Sequence, residues 1–177
     1  GFVENDAADT HFLGKTCELW ESAIQPVTEK GIRLVTIRTG IVLSKQGGAL
    51  AAFMQPLKMG VAAIMGSGNQ YISWIHISDI CGMFLYALQN STLHGAFNGV
   101  ASQPVTNKQF TLSLAKIMRG NWFIPIHIPA FFLSAILGEM SVEVLKSAKV
   151  SNQKVKLAGY HFKFPTLELA LQQLIKS

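Results

Sequence analysis

The chain has 177 residues, of which 49% are hydrophobic and 14% charged, a balance that supports a sizeable core and excludes a disordered chain. The net charge is +5, but the lysines and arginines are scattered with no run of five or six, so no nucleic-acid partner is expected. The charge suits the approach of an anionic ligand such as a nucleotide, and a mean hydropathy of +0.31 calls for a large core or for apolar surface covered by a partner.

Residues 12–30 read as a helix, because Leu13, Cys17, Trp20 and Ile24 make one apolar stripe and Gly31 follows as a stop. Residues 32–43, IRLVTIRTGIVL, are rich in β-branched side chains and too apolar for an edge, so they predict a central, buried parallel strand. Helix, glycine stop and buried strand is the repeating unit of a doubly wound α/β sheet. A helix over 49–59, a turn at Gly66-Ser67-Gly68-Asn69-Gln70 and an alternating strand over 71–77 come next. Ser78 then suits the N-cap of a helix over 79–90, with Asp79 in its first turn. A short buried strand over 95–100 precedes a Thr106-capped helix over 107–118, and a strand over 121–128 precedes a helix opening at Pro129. Further helices are expected over 141–149 and after Pro165, with Thr166 as N-cap.

Cys17 and Cys81 form neither a disulfide framework nor a metal-ligand set. Both sit in apolar helical settings, which suits a reducing cytoplasm, and Cys17 is expected to be a buried structural thiol. The five histidines are dispersed without ligand spacing, so no metal is expected. Residues 122–137, WFIPIHIPAFFLSAIL, are the most membrane-like stretch. They fall short of the ~18–20 residues that span a bilayer and contain Pro125, His127 and Pro129. A buried strand followed by a helix is the expectation there, with no membrane partner; a membrane-surface segment is the lowest-ranked alternative. The start, GFVENDAADTH, has no basic, apolar leader and no initiator Met, which suggests a cut or processed chain.

Four segments in fixed order carry a family likeness: Arg38-Thr39-Gly40-Ile41-Val42-Leu43, Gly66-Ser67-Gly68-Asn69-Gln70, Trp74-Ile75-His76-Ile77-Ser78-Asp79 and Phe97-Asn98-Gly99-Val100. They resemble the extended short-chain dehydrogenases/reductases of the nucleotide-sugar epimerase class. The tail, Gly138-Glu139-Met140-Ser141 through Lys156-Leu157-Ala158-Gly159-Tyr160-His161-Phe162-Lys163-Phe164-Pro165, is similar to the C-terminal domain of atypical, epimerase-like members. The resemblance implies the C-terminal portion of a Rossmann-like sheet plus a small, mainly helical substrate domain. It divides the chain into 1–100, with 44–75 lent partly to the substrate region, and 101–177. The family's GxxGxxG turn, which holds the cofactor pyrophosphate, would precede residue 1.

By the same resemblance, Arg38 and the backbone groups of Thr39, Gly40, Ile41 and Val42 would border the nicotinamide side of NADP or NAD, NADP being the family preference; a buried strand with a glycine for close packing is the plainer alternative. Gln70, Trp74 and His76 would face a small-molecule substrate. Trp74 as core and His76 as a hydrogen-bonded buried histidine are the plainer alternatives. Typical members use a Tyr-x-x-x-Lys pair whose phenolate moves the proton during hydride transfer. Counting back from Glu21 puts Leu13 at the Tyr position and Cys17 at the Lys position, and the first tyrosine of the chain is Tyr71. His11 and Lys15 have the same spacing but lie at the helix start. Ile72 stands where nucleotide-sugar enzymes place a diphosphate-binding arginine, so such a substrate is not expected. Two functions stay open: an NAD(P)-dependent oxidoreductase-like protein on an unidentified small molecule, or a catalytically silent dinucleotide-binding or scaffold protein. Exposed apolar surface is expected to seat the missing N-terminal half of the domain or a second copy.

Overall fold

The computed structural model describes residues 1–138 and 140–176; Glu139 of the tail motif lies outside them. Helix α1 (Phe12–Ile24) continues as a 3-10 helix over Gln25–Lys30. Pro26, at its start, has no N–H to carry the α-helical ladder onward, so the expected single helix changes geometry there. Gly31, at φ 73°, ends it in a left-handed conformation that costs glycine nothing.

The segment expected as one buried strand is two, β1 (Val35–Thr39) and β2 (Ile41–Leu43). β1 pairs in parallel with β6 (Gly95–Gly99), and β2 pairs in parallel with β5 (Trp74–His76). The exchange of partner falls at Gly40. A Cβ there would sit 2.6 Å from the Ser73 carbonyl oxygen and 2.7 Å from Val100 Cγ1, so only glycine lets the strands close up. Among the described residues β1 is paired on one side only. Its side chains are half-buried rather than central, and Leu43 alone of β1 and β2 is buried.

Two more pairs complete the sheets. β3 (Val61–Met65) runs parallel to β8 (Ile124–Ile128), and β4 (Tyr71–Ile72) runs antiparallel to β7 (Val105–Thr106). The alternation read over 71–77 is interrupted at Ser73. Its hydroxyl donates to the Ala148 carbonyl at 2.7 Å and accepts the Val150 N–H at 2.9 Å. The helices are α2 (Gly48–Lys58), α3 (Ile77–Gln89), α4 (Asn107–Arg119), α5 (Ala130–Leu137), α6 (Met140–Leu145), α7 (Gln153–Leu157) and α8 (Leu167–Lys176). Thr106 caps α4 in a reciprocal capping box with Gln109, the arrangement that satisfies two orphan N–H groups at once. The helix expected over 141–149 stops at Leu145, and α7 had no counterpart in the sequence reading.

Two apolar clusters form the core. One joins Leu43, Leu57 and Trp74 to Phe110, Leu114 and Leu171. The other joins Ile75, Ile80 and Phe97 to Val155 and Tyr160. No residue of α1 is buried, and Leu19 and Trp20 are 69% and 71% exposed. Two burial expectations fail. Cys17 is free and exposed rather than buried, and Cys81 is likewise free and exposed. The 122–137 stretch does form a strand and a helix, but most of its side chains face outward. Periodicity reports that apolar groups share a face; it does not report whether anything lies against that face.

Candidate functional site

In open parallel sheets, ligands bind in the crevice outside the carboxyl ends of the strands. Here that edge is the Thr39–Gly40–Ile41 corner. The Gly40 N–H donates to the Gly99 carbonyl at 3.1 Å and the Ile41 N–H to the Ser73 carbonyl at 2.9 Å, so the corner is rigid. The Thr39 and Ile41 side chains stay exposed on it. The corner thus presents a hydroxyl beside an aliphatic side chain at a strand end. Of the other three residues assigned to the cofactor by resemblance, Val42 is paired with Ile75 and Gly40 is the close-approach point.

Arg38 is committed elsewhere. Its guanidinium donates two 2.7 Å hydrogen bonds to the Glu21 carboxylate and a third, also 2.7 Å, to the Glu4 carbonyl. This bidentate pair ties α1 to the end of β1. It holds the Glu21 carboxyl below its ordinary value, against the opposing effect of partial burial, and raises the Arg38 guanidinium. Glu4 in turn accepts the Asn98 N–H at 2.9 Å. The N-terminal strand-like segment also bonds across Phe2 to Lys149 and Ser151.

At the start of α1, His11 pairs with Asp9 rather than with Lys15. His11 Nδ1 meets Asp9 Oδ1 at 2.6 Å, and Lys146, from the segment after α6, pairs with the other Asp9 oxygen. Lys146 first and His11 second hold the Asp9 carboxyl well below the usual carboxylate range. An imidazole with one nitrogen on a carboxylate has its ring oriented and its Nε2 left to act on a neighbour. Leu13 and Cys17, at the family's Tyr and Lys positions, are both exposed on this helix. The Asp9-Thr10-His11 spacing was available to sequence reading; Lys146, far along the chain, carried no such signal.

The three residues assigned to the substrate lie inside. Gln70 is buried and donates from Nε2 to the Met65 carbonyl at 2.9 Å. Trp74 is buried and donates from Nε1 to the Gln103 carbonyl at 3.0 Å. His76 is 1% exposed and stacks on Phe164 with ring centres 3.9 Å apart. Its Nδ1 accepts the Ser78 N–H at 3.0 Å, which makes His76, not Ser78, the N-cap of α3. With Nδ1 an acceptor, Nε2 carries the proton and donates to Gln173 Oε1 at 2.9 Å. Asp79 is fully buried and receives the Lys163 and Phe164 N–H groups at 2.7 and 3.0 Å, while the Tyr160 hydroxyl donates to the Asp79 carbonyl at 2.7 Å. The Trp74–Asp79 motif therefore fastens the C-terminal segment onto α3.

A parallel-strand corner with an exposed strand end, a preceding helix locked to it and a helical C-terminal part make up the C-terminal portion of a Rossmann-like fold. The comparisons agree. Residues 128–174 match the family described as Domain of unknown function (DUF1731). The chain is 38% identical over 175 residues to Epimerase family protein YfhF of Bacillus subtilis, covering 98% of the chain and 57% of that protein. The crystal structure of human epimerase family protein SDR39U1 (isoform 2) with NADPH superposes with a TM-score of 0.92 at 30% identity, over 99% of this chain and 59% of that one. UDP-N-acetylglucosamine 4-epimerase from Bacillus cereus, at 14% identity and TM-score 0.73 over 97% and 56% of the two chains, shares the fold. The chain is similar to the C-terminal part of these epimerase family proteins and spans about 57% of the length of the curated relative it matches.

Proposed function

We propose that the chain supplies the nicotinamide-side wall and the substrate part of an NAD(P)-dependent oxidoreductase-like protein acting on an unidentified small molecule. The observation that carries the reading is the rigid Thr39–Gly40–Ile41 corner, with its two outward side chains at the carboxyl edge of the parallel strands. In this reading Thr39 and Ile41 meet the cofactor, while Arg38, Gly40 and Val42 hold them in place. Gln70, Trp74 and His76 shape the substrate side from beneath, through the strand and turn they fasten. Residues 1–100, apart from much of 44–75, belong to the dinucleotide-binding part and 101–177 to the substrate part. The rest of that domain seats on the open edge of β1 and the apolar stripe of α1. NADP is favoured because the human relative was crystallised with NADPH. Two free, exposed thiols suit a reducing cytoplasm.

When bound, the cofactor gives or takes a hydride; the matching proton must pass through a side chain. With Leu13 and Cys17 at the usual positions, His11, held on Asp9 at the start of the same helix, is the side chain to test for it. A second reading is a dinucleotide-binding protein without turnover, favoured by the hydrocarbon side chain of Leu13 where the phenol stands in typical members. NADPH fluorescence titration of this chain joined to the rest of the domain, followed by oxidation with sugars, quinones and aldehydes, separates the two. Tight binding with oxidation that falls roughly 100-fold in His11→Gln supports the enzyme. Tight binding without oxidation supports the silent binder, and no binding defeats both. Residues 1–177 alone are expected to bind negligibly, so a micromolar dissociation constant on this chain contradicts the proposal.

A further inference from the structure

The 122–137 stretch, expected to be buried, is instead largely exposed. Phe123 packs toward the first core cluster, and the alternation of an extended chain then turns its neighbours outward. Trp122 is 84% and Ile124 67% exposed, and Ile126 continues the same face of β8. The Ile124 N–H donates to the Gly60 carbonyl at 2.8 Å, which brings exposed Met59 alongside. A Cβ on Gly60 would lie 3.7 Å from the Arg119 guanidinium, so the carboxyl ends of α2 and α4 meet at this tip. Lys58, Lys116 and Arg119, in the last turns of those helices, are all exposed. None of the three makes an ion pair among the described residues. The sequence places no Asp or Glu anywhere in 30–78 or 80–138. The tip is therefore a tryptophan-led apolar surface with a purely cationic rim.

We infer that this tip docks on an anionic lipid surface. Tryptophan and aliphatic side chains partition into the headgroup boundary, and lysine and arginine at its rim are drawn by the surface potential of acidic lipids. A second protein copy fits less well, since two such cationic rims would repel on meeting. The apolar stripe of α1 lacks this complementarity, because Glu18 and Glu21 share that helix. No described helix is long and apolar enough to cross a membrane, so the contact is superficial. It lies apart from the strand-end corner and does not depend on the dinucleotide reading.

Flotation of the purified chain with phosphatidylcholine vesicles, with and without phosphatidylglycerol, tests it. The chain is expected to float with the acidic vesicles only and to be released as salt screens the charges. Lys116→Gln with Arg119→Gln should weaken binding roughly 25-fold, about fivefold for each cation. Trp122→Ser should abolish flotation while circular dichroism stays unchanged; Trp20→Ser should leave it intact. Absence of flotation overturns the inference, as does equal binding to neutral vesicles or loss with Trp20→Ser but not Trp122→Ser. A dimer that dissociates only in Trp122→Ser, without vesicle binding, reassigns the tip to a second copy and also overturns it.

Discussion

The two helices that flank the sheet corner are similarly amphipathic and meet opposite fates. α3 buries Ile80, Met83 and Ala87 and closes its N-terminus with His76, Asp79 and the Tyr160 hydroxyl. α1 buries nothing and is held by the Glu21–Arg38 ion pair and by Asp9, His11 and Lys146 at its start. α3 therefore belongs to the cooperative core, whereas α1 is fixed in direction by charge and leaves its apolar stripe available. Charge thus orients α1 without burying it.

Matched leucine truncations break this comparison most sharply. Leu171→Ala, in the first core cluster at 0% exposure, should cost about 2–5 kcal/mol in urea denaturation. Leu19→Ala should stay within about 0.5 kcal/mol. Equal losses would mean that α1 is packed in solution. Asp79→Ala leaves the Lys163 and Phe164 N–H groups without their acceptor and should cost roughly 2–4 kcal/mol, taking both donors together. If stability is unchanged, the C-terminal segment is not fastened as described.

Tyr160 sharpens the same side through pH. Burial first, then the Asp79 carboxylate, raise its phenol from 10.0 to about 12. Because the folded value lies above the unfolded one, the contribution is complete below pH 10 and is lost as pH rises toward about 12. Tyr160→Phe should lose about 1 kcal/mol at neutral pH and flatten the alkaline decline; an unchanged alkaline slope would assign it to other groups. The smallest effect belongs to the α1 tether. Glu21→Gln should cost under about 1 kcal/mol. Its folded carboxyl is lowered, so whatever it contributes is present above the ordinary carboxylate range and fades as pH falls below it. A titration from neutral to acid in wild type and variant measures the difference.

Much of the architecture could be read from local signals. Thr106 with Gln109 three residues on is a capping box in any context, and Gly31 ended its helix because φ 73° suits glycine. The ordered motifs around Arg38, Gly66, Trp74 and Phe97 led to the fold and family because each fixes a backbone event: a strand end, a turn, a cap, a parallel pair. The site was legible as a place rather than as a set of contacts. Arg38 could not be seen to spend its guanidinium on Glu21 and Glu4, nor His76 to cap α3 and reach Gln173, because those partners lie in distant parts of the chain. Lys146 joining Asp9 was hidden for the same reason.

What the sequence by itself determined is where helices and strands begin and end and which side chains share a face, since turn chemistry and periodicity act within a few residues. Only the tertiary structure decided which of those faces are covered. Leu171 and Leu19 look alike in a hydropathy pattern, yet one is closed over by α4 and the other is 69% exposed. Burial is a property of what arrives from elsewhere in the chain, and the strand exchange at Gly40, where β6 gives way to β5, sets what arrives.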